Sequence, residues 1–337
     1  MSDFLEQMAV GSRERLEAAR RGCSEALLLQ RAQSMLPAPR LMADPGHFDL
    51  IAELKLRSPA VGQLKSGDED VEGRVTAYAR AGAAAVSVLT EPSRFDGSMA
   101  HLETATKALA PLNVPAMRKD FLIDPYQVIE ARVAGAGGVL VIIRMLSRSG
   151  IQEMLECARN LGLFVLLEAF DEADIEVMRD ILGAPATLGG TTSGRAVAAR
   201  AAVQPAAGPS AAGQTATAST TTASTAGAAP FVAGATAAAP PAPPPVLAGL
   251  NCRDLATLQI VPQRLIELAP LLPTHVPRVA ESGVVSPQDA ARVAGAGYEF
   301  ALVGSALMQG GDPHALAAAM LTAGRQNARR GNGAASR

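Results

Sequence analysis

Residues 138–168 read GVLVIIRMLSRSGIQEMLECARNLGLFVLLE. The runs Gly138–Ile143 and Phe164–Leu167 are almost unbroken apolar sequence, as expected of parallel strands covered on both faces. Between them Ile151, Met154, Leu155, Ala158 and Leu161 recur at the i, i+3, i+4, i+7 spacing of an amphipathic helix. The stretch is therefore a strand–helix–strand unit. Working outward, the same unit recurs along the chain, with strands expected near Leu50–Leu56, Ala84–Leu89, Val114–Met117, Val246–Leu250, Pro277–Ala280 and Phe300–Val303. Ser286-Pro287, with Asp289 in the first turn, marks a helix start by its N-cap residue and its proline at the first helical position.

The strand starts fall at regular intervals except for the step from 164 to 246. Setting aside residues 184–245 restores the rhythm and leaves eight units, the number that closes a (β/α)8 TIM barrel. An open doubly wound sheet is the alternative that the same pattern allows. The expected layout is an N-terminal helical extension over 1–48 and one barrel domain over 49–183 and 246–325. A disordered Ala/Thr/Pro-rich insertion over 184–245, between helix 5 and strand 6, and a disordered tail over 326–337 complete it. Ala201–Pro245 holds no Asp, Glu, Lys, Arg or His and ends in PAPPP. Such a segment buries too little surface to offset its ordering entropy. It leaves the face opposite the strand C-termini, where sites of this fold lie. A partner-binding or tethering role is its alternative.

Composition narrows the function classes. A net charge of −2 gives no electrostatic reason for nucleic acid or an anionic membrane as partner. Cys23, Cys157 and Cys252 are far apart and odd in number, and read as reduced thiols of an intracellular protein. The histidines (His47, His101, His275, His314) are scattered, so no metal site is expected. Met1–Arg21 mixes acidic, basic and apolar residues, unlike a secretory signal or a transit peptide. The expected location is the cytoplasm.

Polar residues gather at strand C-terminal ends. The first strand carries Glu53 and Lys55, two apart and so on one side, followed by Arg57-Ser58-Pro59. Charges inside a barrel or under its helices are costly unless paired. A rim-exposed salt bridge is the bland alternative. The third strand ends Arg118-Lys119-Asp120-Phe121, the fifth at Glu168, and the sixth at Asn251-Cys252-Arg253. Four such ends converge on the mouth of a barrel, where catalytic groups belong. The last two strands end Glu281-Ser282-Gly283 and Gly304-Ser305, in the loops that commonly bind phosphate through backbone N–H groups.

These pieces resemble the indole-3-glycerol-phosphate synthase family along nearly the whole chain outside the insertion and the last dozen residues. The resemblance rests on IAELKLRSP, GAAAVSVLTEPSRFDGS, VPAMRKDFLIDPYQVIEARVAGAGGVLVI, LGLFVLLEAFDE, GLNCRDL, VAESGV and ALVGSALM, in family order. It implies a carboxy-lyase without metal or cofactor, which converts 1-(2-carboxyphenylamino)-1-deoxy-D-ribulose 5-phosphate to indole-3-glycerol phosphate. On this reading Lys119 is the acid of ring closure, and Lys55 and Glu168 are the acid and base of dehydration. Glu53 and Asn251 orient substrate and lysines, with help from Glu281. Arg253, Ser282, Gly283, Gly304 and Ser305 hold the phosphate, Ser58 lies at the substrate end of the first strand, and Phe95 and Phe121 shape a slot for the anthranilate ring.

Three positions depart from the family pattern. Ala60 stands where serine is usual, Cys252 where asparagine is frequent, and Arg144 is unusual enough to intrude on the site or pair with substrate. One rival is the phosphoribosylanthranilate isomerase of the preceding step, whose Cys/Asp acid–base pair is replaced here by Glu53 and Lys55. A non-catalytic or diverged phosphate-ligand-binding paralogue is the other. The expected partner is the small phosphosugar–anthranilate substrate, with association to other tryptophan-pathway enzymes left open. Deletion of Ala201–Pro245 is expected to leave turnover and Tm close to those of the intact chain. Loss of either in such a variant would contradict the bottom-face placement.

Overall fold

The computed structural model describes residues 3–43, 47–65, 69–183, 242–309 and 311–335. Eight parallel strands close into a barrel, each paired with the next and the last with the first. They are β1 (Asp49–Leu54), β2 (Ala85–Leu89), β3 (Ala116–Lys119), β4 (Gly138–Ile142), β5 (Phe164–Ala169), β6 (Val246–Asn251), β7 (Arg278–Glu281) and β8 (Phe300–Val303). This is the closed alternative, not the open sheet.

The continuous apolar runs are explained by two cores. Ile51, Met117, Leu140, Leu166, Leu247, Val279 and Phe300 point inward and fill the barrel. Ala52, Val86, Val139, Val165, Ala248, Ala280 and Ala301, one position out of phase, point outward against the helices. Alternation along a strand thus buries both faces. Strand β3 starts two residues later than the sequence suggests, because Pro115 has no N–H for the ladder and Arg118 and Lys119 pair with Val88 and Leu89 instead.

The longer helices are α1 (Asp3–Gly22), α2 (Glu25–Ser34), α3 (Val71–Arg80), α4 (Met99–Leu109), α5 (Pro125–Val133), α6 (Arg148–Asn160), α7 (Glu172–Leu182), α8 (Pro287–Gly295) and α9 (Pro313–Ala335). Their starts follow the capping chemistry: Ser286 accepts from Asp289 N at α8, and Asp124 accepts from Tyr126 N ahead of Pro125 at α5. The tail is a correction. Helix α9 runs through Ala335, into the 326–337 segment expected to be disordered; no proline interrupts it after Pro313.

The disorder expected over 184–245 lies outside the described residues up to 241. Its last residues are described and they matter. The Pro245 carbonyl accepts from Val165 N at the start of β5, and Arg40 donates to the Ala242 carbonyl. A harmless deletion must therefore stop short of 242.

At the N-terminal end of the barrel Phe48 is fully buried against α9. A Cβ on Gly324 would meet its ring at 2.0 Å, so the glycine makes room for the aromatic plug. Gly324→Ala is expected to destabilise by about 1–2 kcal/mol despite alanine's better helix propensity, since overpacking outweighs it. A fall in Tm of a few degrees by calorimetry checks this; an equal or raised Tm contradicts it.

Candidate active site

The inward rows of β1, β3, β5, β6 and β7 change character beyond their last core positions. Ile51 is followed by Glu53, Met117 by Lys119, Leu166 by Glu168 and Val279 by Glu281. Leu247 leads to Gly249 and then Asn251. The two-residue period therefore converts the apolar filling of the barrel into a polar layer at its C-terminal mouth. All fourteen residues singled out from the sequence line one cavity there: Glu53, Lys55 and Ser58; Phe95, Lys119 and Phe121; Glu168, Asn251 and Arg253; Glu281, Ser282 and Gly283; Gly304 and Ser305. The cavity encloses about 1020 Å³ of empty space, part of it open to solvent.

Glu53 is the centre of its charge. The carboxylate is only 3 % exposed, so the pair it makes is not at the rim. Lys55 Nζ lies 2.5 Å from Glu53 Oε1, and Lys119 Nζ lies 3.9 Å from Oε2. Burial pushes the Glu53 carboxyl up, but Lys55 and Lys119 outweigh it and hold the group below the usual carboxylate range. Burial likewise pushes the Lys119 amine down, and the facing carboxylates, Glu168 first and Glu53 next, outweigh it, so the ammonium is favoured. Gly304 also makes room for the Glu53–Lys55 pair. A Cβ there would stand 2.2 Å from Glu53 Oε1 and 3.0 Å from Lys55 Nζ.

Across the mouth Asn251 Nδ2 donates to Glu168 Oε1 at 2.7 Å, and its Oδ1 accepts from Arg253 N at 3.0 Å. The amide thereby orients the Glu168 carboxylate against a fixed backbone. Arg253 also donates from one guanidinium nitrogen to the Leu258 carbonyl at 2.8 Å, which holds the loop after β6. Ser282 and Gly283 have φ of 65° and 70°. Two successive residues in the left-handed region, one of them a serine, hold the backbone at the cavity wall in a conformation that costs about 1–3 kcal/mol at the non-glycine position.

The opposite wall is apolar. Phe121 packs against Phe95 at 6.0 Å between ring centroids and edge-on against Phe4 at 5.9 Å. Phe4 and Leu5 come from α1, so the N-terminal extension covers the mouth and not the bottom. Asp120 ties it down. Its Oδ1 accepts from Arg15 of α1 and from Phe121 N, each at 2.8 Å, and its Oδ2 accepts from Thr90 at 2.8 Å and Arg118 at 3.2 Å. Gln127 adds a bond to Ser12 of α1 at 2.9 Å.

Phe4, Leu5 and Asp120 escaped the sequence reading. Asp120 carried a signal, since it sits between two site residues; nothing local to α1 says what it covers. Arg144 does not reach the cavity. It is held by Asp174 and Asp171, at 2.5 and 2.7 Å, and lies over the Phe170 ring. Cys252 is buried on the outward side, as its place between Asn251 and Arg253 implies. Among the described residues no three of His, Cys, Asp and Glu are grouped so as to hold a metal ion, and no helix is long and apolar enough to cross a membrane.

Comparison with known proteins agrees with this geometry. The family model described as "Indole-3-glycerol phosphate synthase" matches residues 5–187 and 242–320. An indole-3-glycerol phosphate synthase of Parafrankia sp. (strain EAN1pec) is 35 % identical over 330 residues, covering 97 % of this chain and 98 % of its own. The proteins of that name from Mycobacterium leprae (strain Br4923) and Nocardioides sp. (strain ATCC BAA-499 / JS614) are 32 % and 34 % identical. They cover 91 % and 89 % of this chain, and 90 % and 91 % of their own. Among solved structures, 3-hexulose-6-phosphate synthase from Salmonella typhimurium superposes with a TM-score of 0.52 at 13 % identity. It covers 83 % of this chain and 100 % of its own, a likeness of fold alone.

Gly304→Ala is expected to displace the Glu53 carboxylate and lower turnover by about 10²-fold, the scale of a misplacement near 1 Å, with the circular dichroism spectrum retained. Turnover within twofold of the parent would show that the seat beside Gly304 is dispensable.

Proposed function

The chain belongs to the indole-3-glycerol phosphate synthase family of tryptophan biosynthesis, and from that premise we propose how its cavity performs the reaction and which residues carry it. The substrate is 1-(2-carboxyphenylamino)-1-deoxy-D-ribulose 5-phosphate, and the chemistry is that of a carboxy-lyase: ring closure, loss of carbon dioxide, loss of water. The observation that carries this reading is the placement of Lys55, Lys119 and Glu168 in one cavity, with Glu53 paired to both lysines.

Ring closure joins the carboxylate-bearing carbon of the aromatic ring to the sugar carbonyl carbon. Negative charge grows on the carbonyl oxygen and must be protonated as the bond forms. Lys119 is the acid, because the carboxylates around it keep its ammonium charged. Departure of carbon dioxide returns the bonding electrons to the ring and restores aromaticity. Dehydration then needs a proton on the leaving hydroxyl and a base for the proton released as the pyrrole double bond forms. Lys55 supplies the first and Glu168, aimed by Asn251, takes the second.

Glu53 orients both ammonium groups. The remaining residues bind. Phe95 and Phe121, with Phe4, flank the anthranilate ring, and Ser58 lines the cavity beyond β1. Arg253, Ser282, Ser305 and the backbone at Gly283 and Gly304 hold the phosphate at the wall made by β7 and β8. A cytoplasmic setting fits the three free cysteines.

Purified protein given this substrate should generate indole fluorescence; its absence with a folded sample would refute the reading. Lys119→Ala should lower turnover by about 10²–10⁴-fold, the usual worth of a general acid. Calorimetry should still detect binding of the phosphate-bearing product. Undiminished turnover in that variant would remove Lys119 from the role.

A further inference from the structure

Glu281 is 1 % exposed, lines the cavity, and has neither carboxylate oxygen hydrogen-bonded. The two cavity lysines sit at Glu53. Among the described residues neither Glu281 nor Glu168 forms an ion pair. A buried, unpaired carboxylate is among the most costly states of a side chain, and neutralisation is its usual resolution.

The neighbours give the direction in which it points. Glu281 pairs in register with Asn251 of β6 and Leu302 of β8. Its side chain lies over Gly249, where a Cβ would stand 2.3 Å from Oε1. Gly249 is in turn the register partner of Glu168 on β5. The absent side chain at 249 thus opens a path from Glu281 to the second carboxyl. The charged groups facing Glu281 are Glu168 from β5, Lys119 from β3 and Glu53 from β1. Asn251 is committed to Glu168 Oε1 and to Arg253 N, and the side chain within hydrogen-bonding reach of Glu281 is Glu168.

We infer that Glu281 is a neutral carboxylic acid in the resting protein, sharing one proton with Glu168 and donating the hydrogen bond that fixes the second Glu168 oxygen. Two adjacent carboxyls away from water hold one proton between them, because both cannot be ionised together. Burial and the facing Glu168 both push the Glu281 carboxyl up, well above the usual carboxylate range, and outweigh Lys119. With Glu281 neutral, Lys55, Lys119 and Arg253 outnumber Glu53 and Glu168 by one. The cavity is then positive for a substrate that brings a phosphate and a carboxylate. Glu281 acts through Glu168 as a positioning residue, and this function for the pair rests on the reading proposed above.

The sign of the pH effect follows. A carboxyl with a raised native pKa favours the fold below the unfolded-state value, and that contribution is lost as pH rises toward the native value. Glu281→Gln keeps the shape, stays neutral and still donates. Its Tm should exceed the parent's by a margin that grows with pH above the ordinary carboxylate range. Infrared spectra of the parent should show the carbonyl stretch of a buried protonated acid, and Glu281→Gln should lack it. Glu281→Gln should also keep about tenfold or more of the kcat of Glu281→Ala, the worth of one hydrogen bond to a charged group, with its alkaline limb moved to higher pH. A protonated-acid band missing from the parent, or unchanged in Glu281→Gln, overturns the inference, as does a Tm difference independent of pH. Spectra and Tm need no turnover, so an inactive parent would sink the enzymatic reading and leave this test standing.

Discussion

The site depends on one carboxylate shared by two ammonium groups. Glu53 is buried at the top of β1 with Lys55 against one oxygen and Lys119 beyond the other. The two lysines hold the buried Glu53 carboxyl ionised against the cost of burial, and Glu53 joins Glu168 in holding the Lys119 amine charged. Removing one member of such a buried set commonly costs about 3–5 kcal/mol, since it strands the other charge. The barrel accommodates the set by placing the three at the ends of β1 and β3, which flank β2, and by leaving position 304 without a side chain.

Rigid strands make this arrangement accurate. Glu53, Lys119, Glu168 and Glu281 each stand two residues past a packed inward residue, so their Cα atoms are fixed by the same ladder that closes the barrel. The roof is built differently. Helix α1 brings Phe4 and Leu5 over the mouth, and its position is set by Arg15 on Asp120 and Ser12 on Gln127. Asp120 lies between Lys119 and Phe121, so the same carboxylate that docks α1 also fixes the chain between an acid candidate and an aromatic wall. Closure over the apolar slot and placement of Lys119 are therefore linked through one buried group.

Much of this was legible in the sequence because the barrel repeats. The regular spacing of apolar runs, once residues 184–245 were set aside, led to eight strands, and polar residues at their ends led to the mouth. Period-two reasoning put Glu53 and Lys55 on one side, and they are in contact. What stayed hidden was tertiary. The amphipathic pattern of α1 says that one face is buried, and nothing in it names Phe121 as the partner. Arg144 looked like an intruder because its two aspartates, Asp171 and Asp174, lie beyond the next strand. The purpose of Gly304 depends on a side chain from the far end of the chain, which no local rule contains. The helical course of 326–335 was hidden because Asn327, Gly331, Asn332 and Gly333 weaken the local helix signal.

The most direct test is the titration of the Lys119 amine, followed by nuclear magnetic resonance with isotope label at the lysine side chains, in the parent and in Glu53→Gln. The account requires a Lys119 pKa above that of an ordinary lysine, falling when the Glu53 charge is removed. A Lys119 that titrates at or below the ordinary value, and is indifferent to Glu53→Gln, would contradict it.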